Sequence, residues 1–185
     1  MPTGKRFSDL SSTKYKFVDA DPDKCIGCGI CELVCSIEKS ERKHMNTLES
    51  RIVVTRLHPA INIATTCRLC DKAPCVRSCP YNALIQSMEN GIIIVDESKC
   101  TGCTWCIKAC DYGAITIDPK KKVPIICDLC KGRKGIGVWP GRKITSQACI
   151  EWCPEEALEL VTSGKLAQKA REKASTKLFS VVGES

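Results

Sequence analysis

The sequence predicts a small α+β fold made of short strands and short helices around a modest core. Four cysteine-rich runs recur along its 185 residues, and brief apolar segments with turn residues lie between them. The chain has 16 cysteines but only nine aromatic residues, three each of Phe, Trp and Tyr. Because so few large side chains can be buried, much of the stability is expected to come from cross-links or metals.

The third run has a spacing that is typical of iron–sulfur ligation. It reads Cys100-Thr-Gly-Cys103-Thr-Trp-Cys106-Ile-Lys-Ala-Cys110, which is C-x2-C-x2-C-x3-C. In bacterial proteins with this spacing, three close cysteines bind one 4Fe-4S cluster and the fourth cysteine binds another. Gly102 removes a side chain where the backbone has to approach inorganic sulfide. Packing of buried thiols as small hydrophobic groups does not explain such regular spacing.

The other three runs vary this pattern. The first keeps the same spacing, the second has four residues instead of two in its second gap, and the fourth has an 18-residue insertion before its third cysteine. The first run holds Cys25, Cys28, Cys31 and Cys35, the second Cys67, Cys70, Cys75 and Cys79, and the fourth Cys127, Cys130, Cys149 and Cys153. Four sets of three plus one predict four 4Fe-4S clusters, with all sixteen cysteines as iron ligands.

Short elements are predicted around the runs. Strands are predicted over residues 15–18, 51–57 and 156–161, and hairpins over residues 83–95 and 114–126. A helix is predicted to begin near Cys31 and to continue through a charged segment to Met45. A weak apolar stripe in residues 163–185 predicts a helical tail, which packs either on this protein or on a neighbouring one.

Several side chains outside the cysteine pattern have two interpretations. His44 is expected to face solvent, and His58 to be half exposed at the end of a strand. The insertion in the fourth run is basic and Gly-rich around Trp139, so it is either a plain surface loop or a docking element. Trp105 and Trp152 lie inside the third and fourth runs, where they either fill the core or shield a cluster from water.

Charge and apolar content limit the functional classes. The formal net charge is +7, but each oxidised cluster with four thiolates carries about two negative charges, so four clusters bring the total to about −1. The excess of Lys and Arg is therefore expected to balance clusters, and no nucleic-acid partner is predicted. The N-terminus has no apolar signal segment, and no run approaches 18 apolar residues. A reducing, cytoplasmic location without a membrane span is therefore expected.

No catalytic residues are predicted. The sequence has two histidines, no glycine-rich phosphate loop and no nucleophile beside a base, so the chain is not expected to be an enzyme by itself. Two other classes of protein stay open. A zinc-binding module would also use C-x2-C pairs, although usually at longer spacing. An iron–sulfur nucleic-acid module would show a basic stripe with stacking aromatic residues.

The four runs resemble a known family. Together with the Cys-Pro steps at Cys79 and Cys153 and the long gap in the fourth run, they are similar to the four-cluster ferredoxin-type electron-transfer subunits of molybdenum and tungsten oxidoreductases. This family includes the dimethyl sulfoxide reductase and formate dehydrogenase types. The small subunits of tungsten aldehyde oxidoreductase-family enzymes, such as class II benzoyl-coenzyme A reductase, are similar in size and layout. The resemblance covers residues 19–162.

The resemblance implies a function and partners. It implies a chain of four 4Fe-4S clusters that passes single electrons between an external redox protein and a large catalytic subunit with a tungsten or molybdenum pterin cofactor. The alternative within this class is a stand-alone polyferredoxin or a hydrogenase-linked carrier.

The resemblance also implies which cysteines act together. Two intertwined bacterial ferredoxin-like halves are expected, one from residues 15–62 and 123–162 and the other from residues 63–122, between an N-terminal arm (1–14) and the tail. The implied ligand sets are Cys25, Cys28, Cys31 and Cys153 (set A); Cys127, Cys130, Cys149 and Cys35 (set B); Cys67, Cys70, Cys75 and Cys110 (set C); and Cys100, Cys103, Cys106 and Cys79 (set D). Ser36 and Asp111 replace the proline that many members have after the fourth cysteine.

Overall fold

The computed structural model describes residues 14–41, 43–57, 61–132 and 147–182. Its strands are β1 (Phe17–Ala20), β2 (Val53–Leu57), β3 (Ile61–Thr65), β4 (Leu84–Gln86), β5 (Ile93–Val95), β6 (Thr116–Ile117), β7 (Pro124–Ile125) and β8 (Leu158–Val161). Its α-helices are α1 (Ile30–Lys39), α2 (Pro74–Arg77), α3 (Trp105–Lys108), α4 (Ala148–Glu151) and α5 (Ser163–Val182), and a 3-10 turn covers Thr47–Glu49. The predicted α+β class is confirmed.

The strands form four two-stranded antiparallel sheets, which are β1–β8, β2–β3, β4–β5 and β6–β7. The sheet β1–β8 joins the two ends of the cysteine-bearing region, with Phe17 opposite Val161 and Ala20 opposite Leu158. These are the first and last strands predicted from the sequence, over residues 15–18 and 156–161, and the structure places them at residues 17–20 and 158–161. All four cysteine runs lie between these two strands along the chain.

The first four helices have a common role, since each carries the third cysteine of a run. The helices α2, α3 and α4 are single turns, whereas α1 extends over ten residues and also carries Cys35. The prediction that this helix reaches Met45 is wrong, because it ends at Lys39. The hydroxyl of Ser40 donates to the carbonyls of Ile37 and His44, and Glu41 has a left-handed φ of 52°, so the chain turns away there.

The strands differ from the prediction mainly in length. The strand predicted from Arg51 begins at Val53, and its partner β3 was not predicted. Both predicted hairpins are present as β4–β5 and β6–β7, with only two or three residues in each strand. Gly91, in the turn of β4–β5, has a φ of +73°, and a Cβ at this position would collide with the ring of Tyr15.

The strand β1 lies between two apolar clusters. Phe17 belongs to the first, with Leu69, Leu84, Ile93, Val161 and cysteines of the second and third runs. Val18 belongs to the other, with Ile52, Val54, Leu158 and the cysteines Cys31, Cys35 and Cys149. Successive side chains of a strand point to opposite faces, so β1 supplies both clusters. The division of the chain into two halves stays a prediction.

The tail is the long helix α5. Leu166 packs against the first apolar cluster, while Leu178 and Phe179 are 70% and 79% exposed. Ion pairs of Lys169 with Glu159 and of Lys173 with Asp23 connect the helix to the rest of the protein. Among the helices of the described ranges, none is long and apolar enough to cross a membrane.

Candidate metal centre

Three cavities are each lined by four cysteines that come from two different runs. One cavity is lined by Cys79, Cys100, Cys103 and Cys106, another by Cys35, Cys127, Cys130 and Cys149, and a third by Cys25, Cys28, Cys31 and Cys153. These groups have the same members as sets D, B and A. The structure therefore brings twelve of the predicted ligands together, and their role as iron ligands stays a prediction.

The four cysteines of set C are also close to one another. Burial, with repulsion from thiolates at Cys67, Cys110 and Cys70 as smaller causes, raises the pKa of Cys75 to about 12. Burial also raises the pKa of Cys67 to about 11, with repulsion from Cys70 and Cys110 as a smaller cause. Such repulsion acts over short distances, so this fourth group draws on the second and third runs as the resemblance implies.

The cysteines suit a cluster better than a single ion. Within the described ranges, no three His, Cys, Asp or Glu side chains converge closely enough to hold one metal ion. The cysteines instead line three cavities in groups of four. Four thiolate donors around each cavity are the donor set of a 4Fe-4S cluster, so the residues present fit this cofactor.

The buried thiols favour the protonated form when no iron is bound. Burial raises the pKa of Cys31 and of Cys127 to about 12, and that of Cys149 well above its usual value. Iron binds thiolates, so these sites must lose protons when a cluster is inserted. Occupation of the sites and deprotonation of the cysteines are therefore coupled.

A left-handed residue precedes the second cysteine of every run. Its φ is +71° at Gly27, +71° at Gly102, 48° at Leu69 and 53° at Leu129. This conformation curls the loop between the first two cysteines of each run. A Cβ at Gly102 would also lie 2.9 Å from the carbonyl oxygen of Lys122, so a close backbone approach requires glycine. The expected approach of Gly102 to sulfide stays a prediction.

Three of the fourth cysteines accept a hydrogen bond from a backbone N–H at their sulfur, with an N···S distance of 3.3 Å in each case. The donors are Ala83 to Cys79, Ala157 to Cys153 and Arg51 to Cys35. After Cys79 and Cys153 the chain turns back through a left-handed residue, Asn82 or Glu156. After Cys35 the helix α1 continues, so the donor comes from Arg51 instead. Hydrogen bonds to cluster sulfur are one of the factors that set potential.

Sequence reasoning missed a charged network beside set B. Asp128 pairs with Lys39, with 2.7 Å between Nζ and Oδ1, and also with Arg51. All three residues line the set B cavity. The network places two cations and one carboxylate next to a site that would hold a negatively charged cluster. Its members are far apart in sequence, so no local pattern indicates it.

The sets differ in exposure. Set A contains Cys28 and set D contains Cys103, which are the two exposed cysteines of the chain. The cysteines of sets B and C are buried or partly buried. Leu129, in the loop of set B, packs against both apolar clusters, and Cys127 packs against the cluster that contains Cys67. Sets B and C therefore lie next to each other in the interior, and sets A and D lie farther out.

The aromatic and histidine side chains near the cysteine runs differ in exposure. Trp105 is 57% exposed at the start of α3, so core packing is not its main role. Trp152 is half-buried at the end of α4. His44 faces solvent, as expected, and pairs with a glutamate of the 3-10 turn. His58 and Trp139 lie outside the described residues.

Comparison with known proteins gives consistent matches. The model of the family described as 4Fe-4S dicluster domain matches residues 60–163, and that of the 4Fe-4S binding domain matches residues 18–37. The chain is 38% identical to the polyferredoxin-like subunit of the aliphatic sulfonate oxidoreductase of Pyrococcus furiosus, over 76% of this chain and 75% of that protein. It is 33% identical to the electron transport protein HydN of Escherichia coli, over 85% of this chain and 94% of that protein.

A solved structure also shows a weaker likeness. It is the active site complex BamBC of benzoyl coenzyme A reductase with 1,5-dienoyl-CoA, at a TM-score of 0.45 and 21% identity over 80% of this chain and 76% of that chain. A likeness at this level supports no conclusion about substrate or partner.

Proposed function

The chain belongs to the 4Fe-4S dicluster family, and we propose that it passes single electrons through four 4Fe-4S clusters held by sets A to D. It is an electron-transfer iron–sulfur subunit of oxidoreductase complexes and is not itself catalytic. The observation that carries the proposal is the set of three cavities, each lined by four cysteines from two runs. A 4Fe-4S cluster supplies a one-electron redox couple when it is bound.

The proposed order along the row is A, B, C and D. Runs one and four exchange Cys35 and Cys153, which places sets A and B side by side, and runs two and three exchange Cys79 and Cys110 for sets C and D. Contacts around Leu129 connect sets B and C in the interior. Electron tunnelling weakens steeply with distance, so a row of neighbouring sites with exposed ends at A and D can connect two partners.

The residues of this chain would hold the clusters and set their environment. The sixteen cysteines supply the ligands, and three backbone N–H groups donate to ligand sulfurs. Lys39 and Arg51 offset negative charge at set B, while Asp128 limits their effect. These groups make the four sites electrostatically different, and such differences determine the reduction potential of each cluster.

The catalytic partner is proposed to be a large subunit with a tungsten or molybdenum pterin cofactor. The support is a relative that is itself the polyferredoxin-like subunit of an oxidoreductase. The partner's cofactor would carry out the substrate chemistry, and this chain would supply position and potential. All sixteen cysteines are free of disulfides, which suits a reducing compartment, so action in the cytoplasm is proposed.

Metal analysis of the native complex tests the function. Anaerobic capture from the native source is expected to give about sixteen irons on this chain and tungsten or molybdenum in a large co-purifying subunit. Zinc in place of iron would contradict the iron–sulfur assignment. Full iron without tungsten or molybdenum would contradict only the proposed partner, and would favour a stand-alone or hydrogenase-linked carrier.

Ligand exchange between runs is tested by Cys153→Ser. This cysteine lies in the fourth run with the ligands of set B, but it is assigned to set A. After reduction, the electron paramagnetic resonance spectrum of Cys153→Ser is expected to differ from that of the wild type in the same signal that Cys28→Ser alters. The matched control is Cys130→Ser, which alters set B. A Cys153→Ser spectrum that resembles the control would show that the set assignments are wrong.

A further inference from the structure

The two exposed ends of the proposed row differ in surface chemistry. We define the Cys103 face by its exposed residues, which are Tyr81, Lys99, Thr101, Cys103, Thr104, Trp105 and Lys122. Tyr81, Thr101 and Thr104 line the cavity of set D together with its cysteines. Tyr81 and Trp105 are 50% and 57% exposed. Two aromatic side chains and two cations therefore border the set D site where it reaches the surface.

The cations of the Cys103 face stand close to the cysteine loop. Lys99 immediately precedes Cys100, and its side chain remains 55% exposed although it pairs with Asp96 at 3.0 Å. The backbone of Lys122 touches the loop at Gly102, where a Cβ would lie 3.7 Å from the Cβ of Lys122. Among the residues that the structure describes, no ion pair of Lys122 is found. At least one full positive charge is therefore available beside the exposed cysteine.

The opposite end carries charges of both signs. Asp23 lies two residues before Cys25, and Glu155 and Glu156 follow the Cys-Pro step of the fourth run, with all three exposed. Hydrogen bonds join the two segments, because the backbone N–H of Asp21 donates to the carbonyl of Ala157 at 2.8 Å. Lys173 pairs with Asp23, and the exposed cations Lys24 and Arg56 offset the two glutamates, so the charges at this end nearly balance. An acidic molecule is therefore attracted more strongly by the Cys103 face than by the Cys28 end.

We infer that the Cys103 face is the docking surface for an acidic one-electron carrier protein, and this inference rests on the proposed function. Exposed Tyr and Trp side chains are favoured in the centre of protein interfaces, and cations around them steer an acidic partner into place. Electron-transfer encounters bury little surface, so a face of seven residues is sufficient. The end at Cys28 is then left for the catalytic subunit. One electron passes between the carrier and the site of set D, and no bond or proton changes place.

The experiment uses charge reversal at equivalent positions of two runs. Lys99 precedes the first cysteine of the third run, and Lys24 precedes the first cysteine of the first run, so Lys24→Glu is a matched control for Lys99→Glu. Lys122→Glu is the second test variant. The probe is an acidic plant-type [2Fe–2S] ferredoxin, added to the iron-loaded full chain. Iron content and circular dichroism equal to those of the wild type verify that each variant is folded.

Binding and electron transfer are measured separately. At low ionic strength, Lys99→Glu and Lys122→Glu are each expected to raise the Kd for the ferredoxin at least about threefold and to slow its single-turnover electron transfer correspondingly. The difference from wild type should shrink as salt rises. Lys24→Glu should leave both quantities unchanged. Failure of the ferredoxin to bind wild type, or an equal effect of Lys24→Glu, would overturn the inference.

Small reductants separate the two hypotheses. Dithionite and methyl viologen need no docking surface, so they should reduce the clusters of all variants equally. If these reductants reduce the clusters but the Kd for the ferredoxin does not change in the Lys99 and Lys122 variants, only the docking inference fails. If wild type holds no reducible clusters, the proposed function fails with it. Lys99→Gln and Lys122→Gln remove the charge without reversing it, and a smaller effect of the same sign is expected from them.

Discussion

The ion pair between Asp19 and Arg68 connects the first strand to the second cysteine run. The side chains are only 11% and 20% exposed. The guanidinium of Arg68 also lies over the rings of Phe17, at 4.8 Å, and Tyr112, at 5.6 Å. Replacement of Asp19 by asparagine would leave a guanidinium that is largely shielded from water without its charged partner. We therefore expect Asp19→Asn to be one of the more destabilising single substitutions away from the cysteines.

The magnitude follows from the burial of the pair. Removal of one partner from a buried ion pair costs about 3–5 kcal/mol. About a fifth of Arg68 remains in contact with solvent, so part of the charge can be rehydrated and about 2–3 kcal/mol is expected. For a chain of this size, each kcal/mol lowers the melting temperature by about 2–4 °C. Asp19→Asn should therefore lower Tm by about 4–12 °C.

The assay is anaerobic heating of the iron-loaded protein, followed by the visible absorbance of the clusters and by far-ultraviolet circular dichroism. The matched control is Lys121→Gln, which breaks the pair of Lys121 with Glu97, where both side chains are more than half exposed. Exposed pairs contribute little, so its Tm should hardly change. In Asp19→Asn/Arg68→Gln the unpaired charge is gone, and part of the loss should be recovered. If Asp19→Asn lowers Tm no more than the control, the reasoning is refuted.

Three further outcomes are expected. Chelation of iron under reducing conditions should unfold the chain, because it has few aromatic side chains and both apolar clusters contain cysteines, and retained circular dichroism would contradict this. Trp105→Ala should raise one midpoint in a redox titration followed by electron paramagnetic resonance, because water favours the more negative reduced state, and an unchanged midpoint would reject a shielding role. Hydrogen bonds and charge from Lys173 and Lys169 lower the pKa of Asp23 and of Glu159 below their ordinary values of 3.8 and 4.5. The stabilisation of α5 by these two ion pairs is thus fully present above the ordinary pKa values and is lost as pH falls through the lowered pKa values. The protection of α5 amides against hydrogen exchange should therefore be lost in acid. The double variant Asp23→Asn/Glu159→Gln should show the same loss of protection already at pH 7. Equal protection in wild type and variant would show that these ion pairs do not stabilise α5.

Cysteine spacing carries most of the information about the site. A thiolate has few alternatives as a cluster ligand, so sixteen cysteines in four runs predict the cofactor from composition and spacing alone. The antiparallel pair β1–β8 was also predictable, because each strand has enough apolar residues to be recognised. Which runs share a cavity came only from the family resemblance, since spacing within a run does not specify a partner run.

Other features have no local signal. Leu69 and Leu129 hold the left-handed conformation that glycine holds at Gly27 and Gly102, and leucine does not indicate such a turn by itself. Alignment of the four runs with one another would have found it. The end of α1 at Lys39 depends on hydrogen bonds of Ser40 that the charged sequence does not indicate. The network around Asp128 and the pair of Asp19 with Arg68 form only when distant segments meet.

The pairing of the first strand with the last has a consequence for the order of maturation. During synthesis β1 emerges early, but its partner does not exist until the ribosome has reached Val161. The hairpins β4–β5 and β6–β7 and the second and third runs are complete well before that point. The middle of the chain can therefore acquire its clusters first. A nascent chain that stops before Cys153 presents a bare strand edge and three cysteines of the first run without their proposed fourth ligand, so chaperones and proteases can distinguish it from the finished protein.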